Sequence, residues 1–270
     1  MPIEPNELIY KKLYKAWPPG PCLRVSFSSI DLILQLPLEF VRLGGYNTLR
    51  FVQWWAAHLV KEDGVLRKQD GLDEELDLSE APQAVDYTFV PEFTDVVFTE
   101  TVGPQGKNRR ASPMSSDGES SVSHSSRNSE DDNDFHLQVA VRDGEDYFLG
   151  TRATECVSAH LVPQSRPDLY VSLTGEYFAH DVSYGLLMDP TLHKAYDRYQ
   201  FSLFYMEDRY YFHAFDASVA SFKKLHGLSF GKDRMRSYAP PDPNLCNWHY
   251  QQCVLKFGRG YSVAMAVNAL

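Results

Sequence analysis

The sequence predicts an α+β protein, and three observations support that fold class. Short extended runs come before helical runs within compact blocks, instead of alternating with them as in a doubly wound parallel sheet. Hydrophobic residues make up 43% of the 270 residues, which is enough to build a sizeable core. A serine-rich stretch divides the chain. We therefore predict an accessory α+β module over 1–102, a disordered linker over 103–135, a second mixed domain over 136–260 and a tail over 261–270.

The composition limits the classes of protein to which the chain can belong. With 26 basic and 36 acidic residues the formal charge is −10, whereas nucleic-acid binders are usually basic. Most of the excess lies before residue 135, so the nearly neutral second half does not exclude a nucleic-acid substrate. No apolar run approaches the roughly 18 residues of a membrane span. The four cysteines form no CxxC pair, and no signal peptide is evident. We expect an intracellular protein of the cytoplasm or nucleus, not a secreted one, with no membrane partner.

The predicted linker has the composition of a disordered segment. Between Ser112 and Asp134 it holds nine serines and six acidic residues, and its only apolar side chains are Met114 and Val122. Such a segment buries too little surface to offset the entropy of ordering it. Ser112 follows basic residues and Ser129 precedes acidic ones, so both resemble kinase sites. Patterns of this kind also arise by chance in serine-rich linkers, and both interpretations stay open.

The first module shows no chemical motif. Residues 22–29 predict a strand, and 28–45 carry a serine cap before an apolar run that Pro37 interrupts and two glycines end. Residues 48–64 predict an amphipathic helix, and 84–102 an extended segment. Near the end of that helix, His58 is interpreted as a packed or half-exposed side chain and not as a ligand. We expect an accessory or structural role for this module.

The second domain shows a clearer succession of elements. The runs 137–143, 146–152 and 155–163 predict three extended segments. Asp189 is placed to cap a helix whose first turn contains Pro190. Residues 201–215 predict a hairpin, and 244–255 a late helix.

One constellation in this domain carries chemistry. An extended run ends in Ala-His-Leu-Val-Pro at 159–163, and Tyr-Gly-Leu-Leu-Met-Asp follows at 184–189. The helix after it presents His193 and Asp197, whose i,i+4 spacing places them on one helical face. An imidazole and a carboxylate together suit a divalent metal, and a histidine at the end of a strand can face that metal across a small gap.

This order of motifs resembles the HNH endonucleases, and in particular the HNH nuclease-like proteins common in fungi. The pieces that carry the resemblance are Arg142-Asp143-Gly144, Cys156, AHLVP at 159–163, YGLLMD at 184–189 and LHKAYDRYQF at 192–201. The resemblance is good over 136–260 and only suggestive over 22–65. The set of motifs is fairly specific, whereas each single piece is weak.

The resemblance implies a ββα-metal finger, in which two strands and a helix surround one divalent cation. His160 would be the general base that takes a proton from the attacking water, since an imidazole titrates near neutrality. His193, and as a second candidate Asp197, would bind the cation, which we expect to be Mg²⁺ or Mn²⁺ and not Zn²⁺. The substrate would be nucleic acid, DNA in preference to RNA.

Two positions depart from the family pattern. Tyr184 stands where the family has the asparagine of its name, and Ala159 stands where many active members carry a ligand. These departures favour a second hypothesis, a degenerate finger that binds nucleic acid or protein without cutting. Structural interpretations also stay open for His160 as a packed histidine, His193 as a boundary residue, and Asp197 with its neighbour Arg198 as a surface ion pair.

Three further patterns have a structural and a functional interpretation. Cys246, His249 and Cys253 have spacings of a zinc site, but no fourth ligand is evident and a packed helix is favoured. The aromatic residues over 205–215 can stack on bases or form a core face, and we favour the core. The basic residues Lys223, Lys224, Lys232, Arg234 and Arg236 are candidates for phosphate contacts or form a solvated loop.

Overall fold

The computed structural model describes residues 17, 20–27, 32–70, 75–93, 129–176, 178, 180–216, 220–236 and 239–258. Ser112, most of the predicted linker and the predicted tail lie outside these residues. The chain divides into two compact units, the first from 1–100, 194–231 and 247–270 and the second from 101–193 and 232–246. The predicted domain boundaries are not tested by this division and stay predictions.

The described residues form both helices and antiparallel or mixed sheets, as expected for the α+β class. The helices are α1 (Leu38–Leu43), α2 (Leu49–Val60), α3 (Ser129–Asp143), α4 (Pro167–Thr174), α5 (Pro190–Asp197), α6 (Ala220–Leu225) and α7 (Pro243–Phe257). The strands are β1 (Cys22–Ser26), β2 (Leu32–Pro37), β3 (Gly64–Lys68), β4 (Asp86–Pro91), β5 (Val157–His160), β6 (Gly185–Met188), β7 (Phe201–Met206), β8 (Arg209–Ala214) and β9 (Ser229–Gly231). No helix of the described part is both long and apolar enough to cross a membrane.

The first unit holds two sheets and one large aromatic core. One sheet has the strand order β2-β1-β4-β3, with β1 and β4 parallel and the other pairs antiparallel. The other is the antiparallel sheet β7-β8-β9. Helix α2 supplies Phe51 and Trp55 to the core, where Phe51 lies 5.0 Å from Phe204 of β7 between ring centroids. Aromatic packing therefore links segments that are far apart in the chain.

Local signals located several elements of this unit correctly. The predictions of β1, α2, the β7–β8 hairpin and α7 are confirmed. In the hairpin, Glu207 and Asp208 both have positive φ, 51° and 59°, which is the geometry of a two-residue turn between twisted strands. The capping pattern before Pro37 was misleading, because residues 32–37 form β2 and the helix begins only after the proline.

Buried hydrogen bonds exclude the zinc interpretation of the late helix. Both ring nitrogens of His249 are engaged, Nδ1 with Ser202 Oγ at 2.8 Å and Nε2 with the Tyr196 carbonyl at 3.0 Å. The Cys253 thiol donates to the Phe201 carbonyl at 3.7 Å. These groups belong to the core, as the alternative interpretation proposed. The aromatic residues Tyr210, Phe212 and Phe215 are likewise buried in the first unit.

The second unit contains a correction. Residues 137–143, predicted as a strand, form the second half of α3, which begins at Ser129 inside the predicted linker. Phe135, Val139 and Arg142 are buried, with the i, i+4, i+7 spacing of a helix face, while Leu137 is exposed. The strand prediction for 137–143 was wrong because Phe135, the first residue of this buried helix face, lay in the segment assigned to the linker. Residues 146–152, also predicted as extended, form a turn closed by a single bridge between Glu145 and Arg152.

Candidate active site

The centre of the second unit is the two-stranded antiparallel sheet of β5 and β6. His160, the last residue of β5, pairs with Gly185, and Val157 pairs with Met188. Opposed residues of antiparallel strands share a face, and alternate residues point to opposite faces. One face therefore carries Ser158, His160, Gly185 and Leu187, and the other carries Val157, Ala159, Leu186 and Met188.

Helix α3 covers the face that carries His160. The His136 ring nitrogen Nδ1 is hydrogen-bonded with Ser158 Oγ at 2.9 Å. The Phe135 ring stacks on the His160 ring, with 4.4 Å between centroids and 18° between planes. Leu187 joins Phe135 in one small apolar cluster. His160 is thus placed by both its strand and a helix that the sequence analysis did not assign to the site.

A buried ion pair fastens α3 to β6. The Arg142 guanidinium donates to both carboxylate oxygens of Asp143, at 2.6 and 2.8 Å, and to the Gly185 carbonyl at 2.8 Å. Asp143 in turn accepts from the Leu187 amide at 2.9 Å and from the Tyr147 hydroxyl at 2.9 Å. Both charges are fully buried, and only such complete pairing makes that burial tolerable.

The Arg-Asp-Gly motif is therefore the end of a helix and not a strand. Gly144 has a φ of +75°, and its amide donates to the Ala140 carbonyl at 2.8 Å, as in a left-handed helix end. Its missing side chain leaves room for the Arg236 guanidinium, since a Cβ there would fall 2.6 Å from Arg236 Cζ.

Tyr184, at the position of the family asparagine, has a structural role. It is buried, and its hydroxyl lies 3.2 Å from Thr174 Oγ1 and 3.2 Å from the Glu176 carbonyl, to which it donates. Its own carbonyl accepts from the Leu161 amide at 2.8 Å, directly after His160. Tyr184 therefore contacts the start of the segment that connects β5 and β6, at Leu161, and its middle, at Thr174 and Glu176. These contacts support that segment.

Ala159 is fully buried on the sheet face opposite His160. A side chain at this position therefore points away from the face that α3 covers. The nearby Asp181 carboxylate is also engaged, since it accepts from both the amide and the hydroxyl of Ser183, at 2.8 and 2.6 Å.

Asp189 immediately precedes α5 and caps it, as its position in the sequence predicted. Its Oδ1 accepts from the Thr191 amide at 2.7 Å, which caps the helix. Its own amide donates to Asp146 Oδ2 at 3.0 Å, and Thr151 Oγ1 donates to its Oδ2 at 3.2 Å. Burial raises the pKa of Asp146 against the lowering effect of its backbone hydrogen bonds. These bonds fix the helix that carries His193.

His193 lies one turn into α5 and is half-buried, and Asp197 is the exposed last residue of the same helix. Both residues therefore lie in one helix, as the i,i+4 spacing predicted. Within the ranges that the structure describes, no group of three or more His, Cys, Asp or Glu side chains could hold a metal ion. A shared cation between His160, His193 and Asp197 stays a prediction.

A second histidine, His180, lies beside the same aromatic ring as His160. Its ring centroid is 6.3 Å from that of Phe135. Its Nδ1 is buried and has no hydrogen-bond partner among the described residues. Phe135 escaped the sequence analysis because it was assigned to the linker; its spacing to Val139 and Arg142 was the signal that could have revealed it.

Two of the basic candidates for phosphate contacts are engaged in ion pairs on the protein itself. Arg234 pairs with Glu145 at 3.1 Å in the second unit, and Lys223 pairs with Glu39 at 3.0 Å in the first. Arg236 is exposed, with its guanidinium beside Gly144. Among the residues that the structure describes, Arg236 forms no ion pair with a carboxylate, and its role in phosphate contact stays a prediction.

Comparison with known proteins agrees with the motifs. Residues 145–203 match the family model described as HNH endonuclease. This match covers about a fifth of the chain. The match begins after Gly144 and ends in β7, so it contains β5, β6 and α5 with His160, His193 and Asp197. No curated protein and no solved structure matches the chain. The matched segment is similar to HNH endonuclease domains, which points to nuclease chemistry on nucleic acid.

Proposed function

We propose that the segment 145–203 contains the core of a metal-dependent endonuclease of the HNH type, which hydrolyses phosphodiester bonds in nucleic acid. One observation carries the proposal. The segment that matches the HNH model is the one that folds into β5, β6 and α5, with His160 ending the first strand and His193 in the helix. Two strands followed by a helix is the order of elements expected for a ββα-metal finger, and we propose that this segment is one.

His160 is the general base of this proposal. It is the last residue of β5 and is half-buried. A neutral imidazole nitrogen takes the proton from the attacking water as the water oxygen bonds to phosphorus and the bond from phosphorus to the leaving sugar oxygen breaks. Phe135 and the paired strand β6 restrict the ring, so its orientation is set before substrate binds.

The side chains present fit a cation that needs few protein ligands. His193 and Asp197 offer an imidazole nitrogen and a carboxylate oxygen, which are donors for divalent metals. Mg²⁺ and Mn²⁺ fit this set, because Mg²⁺ usually keeps several waters and is completed by substrate phosphate. Structural Zn²⁺ sites use four protein ligands, whereas the proposed set has two. The bound cation would neutralise charge that develops on the phosphate.

The substrate of this proposal is DNA in preference to RNA, and a plasmid assay tests it. Purified full-length protein is incubated with supercoiled plasmid and Mg²⁺ or Mn²⁺, next to the variants His160→Ala and His193→Ala. We expect nicking or linearisation by the wild type, with a loss of about 100-fold or more in the His160 variant, since general base catalysis contributes ~10²–10⁴-fold. A matched control is His58→Ala, because this half-buried histidine of α2 belongs to the first unit and lies outside the matched segment.

A second candidate function is a finger that binds nucleic acid or protein without cutting. Tyr184 favours it, because this buried residue has exchanged the family asparagine for contacts that hold a loop. Uncut DNA with all tested metals, combined with a mobility shift of the same DNA by wild type and His160→Ala alike, would support this function and refute the nuclease. Phosphorylation at Ser112 or Ser129 would be a further means of regulation, and mass spectrometry of the native protein tests it.

A further inference from the structure

The buried Phe135 ring stacks on the His160 ring. Only 2% of its surface is exposed, and its ring lies nearly parallel to the imidazole, with 4.4 Å between centroids. A flat apolar ring against one face of an imidazole limits rotation of that ring about its Cβ–Cγ bond. The contact thereby limits the orientation of the imidazole plane, and with it the directions in which the two ring nitrogens point.

Gly185 provides the space for this contact. It lies opposite His160 in the sheet, and a Cβ at this position would overlap Phe135 Cζ and fall 3.2 Å from Cε2. Its φ of −130° is ordinary extended backbone that any residue adopts. The glycine is therefore required for its missing side chain and not for its conformation.

Three interactions fix the backbone that carries Phe135. His136 is bonded to Ser158 on β5, and Arg142 donates to the Gly185 carbonyl on β6 at 2.8 Å. The Asp143 carboxylate also accepts from the Leu187 amide at 2.9 Å. The helix is attached to both strands, so the backbone that carries Phe135 cannot move away from His160 without breaking these polar contacts.

We propose that Phe135 is a positioning residue for His160 and that Gly185 is retained to admit its ring. This inference rests on the proposed function, in which His160 takes the proton from water. Phe135 acts through His160 and needs no contact with substrate. Misorientation of a catalytic group can reduce turnover by about 100-fold, so loss of the stacked ring should lower kcat by ~10- to 100-fold with little change in KM.

The choice of variants follows from the same geometry. Phe135→Leu keeps an apolar side chain in the cluster with Val139 and removes the flat ring. A tyrosine is unsuitable, because Cζ faces Gly185 and has no room for a hydroxyl. Gly185→Ala tests the contact from the other side by displacing the ring. Leu137→Ala is the control, since Leu137 lies on the same helix but is 61% exposed.

The experiment combines proton NMR of the histidine rings with steady-state cleavage of a DNA duplex, both on the full chain. His160→Gln assigns the His160 ring signals. We expect these signals to be shifted upfield by the Phe135 ring, and to return toward ordinary values in Phe135→Leu and Gly185→Ala but not in Leu137→Ala. The double variant should lose no more kcat than the stronger single variant, because both remove one contact.

Several results would overturn the inference. His160 signals that do not move in folded Phe135→Leu would show that the ring is not held by Phe135. An unchanged or raised kcat in that variant would show that Phe135 is dispensable or blocks the site. A wild-type protein that cuts no DNA overturns the proposed function instead, and the spectra then still report whether the ring contact exists.

Discussion

The Arg142 guanidinium holds both carboxylate oxygens of its sequence neighbour Asp143, and neither side chain is exposed to solvent. The pair joins the last turn of α3 to β6, the strand opposite His160. Removing one partner of a buried pair leaves a charge without compensation. The pair therefore fixes α3 against the strand that lies opposite His160.

Asp143→Ala should lower the free energy of unfolding by about 3–5 kcal/mol, since Arg142 would stay buried without its carboxylate. Urea titration followed by circular dichroism measures the change. Glu145→Ala is the matched control, because its pair with Arg234 is 42–48% exposed and should contribute at most about 1 kcal/mol. Equal effects of the two variants would contradict the structural role of the buried pair.

Gly144→Ala and Gly150→Ala form a second matched pair. Both glycines have positive φ, +75° and +68°, so each alanine should cost about 1–2 kcal/mol for its backbone conformation. A Cβ at Gly144 would also displace the Arg236 guanidinium, whereas nothing lies within 4 Å of a Cβ at Gly150. We therefore expect Gly144→Ala to lower the melting temperature more than Gly150→Ala. The reverse order would show that the Arg236 contact is absent in solution.

Tyr184→Phe should destabilise the protein by about 0.5–1.5 kcal/mol, because it removes the hydroxyl contacts with Thr174 and Glu176 and keeps the ring. Hydrogen exchange of the amides over 161–184 should increase in this variant. Tyr205→Phe is the control, since its hydroxyl bond to Asp208 is exposed and should contribute less. Unchanged exchange in the loop would exclude Tyr184 as its support.

Stability should fall as the pH is lowered from 7 to 5, because three buried histidines are neutral in the folded protein. Burial lowers the pKa of His249 to about 3 and that of His226 to about 4, and lowers the pKa of His213 well below its ordinary value. The unfolded chain binds protons below about pH 6.5 while the folded chain does not, so each imidazole contributes up to about 2 kcal/mol of destabilisation by pH 5.

Urea titrations at pH 7, 6 and 5 measure how the free energy of unfolding depends on pH. This pH interval lies above the range in which most carboxylates titrate. His249→Leu should reduce the slope by its share, even though it also lowers stability at pH 7 by leaving Ser202 without its partner. A free energy of unfolding that is equal at pH 7 and pH 5 would show that these rings are accessible to protons in the folded state.

Strong local signals made part of the site predictable. Asp189 and Pro190 mark the start of α5, and the alternation around the two-residue turn defines the β7–β8 hairpin. These signals depend on neighbouring residues alone, so the sequence contains them completely. The element order around His160 and His193 followed from the same kind of signal, together with the family motifs.

The surroundings of His160 were not predictable in this way. The run over 137–143 has apolar residues at alternate positions, which a strand accommodates as well as a helix does. Only contact with β5 and β6 decides the outcome, because the helix brings Phe135, Val139 and Arg142 to one buried face. Residues 32–37 became a strand for a similar reason, since pairing with β1 satisfies backbone groups that a proline-terminated helix would leave open.

The sequence by itself determined the chemical groups of the candidate site, their order along the chain and the helix cap that precedes His193. The tertiary structure alone decided what covers His160, which carbonyls the Arg142 guanidinium reaches and what Tyr184 supports. Short segments carry too little free energy of their own to select a conformation. The buried face that each one shares with distant residues makes the selection, and that face exists only in the folded chain.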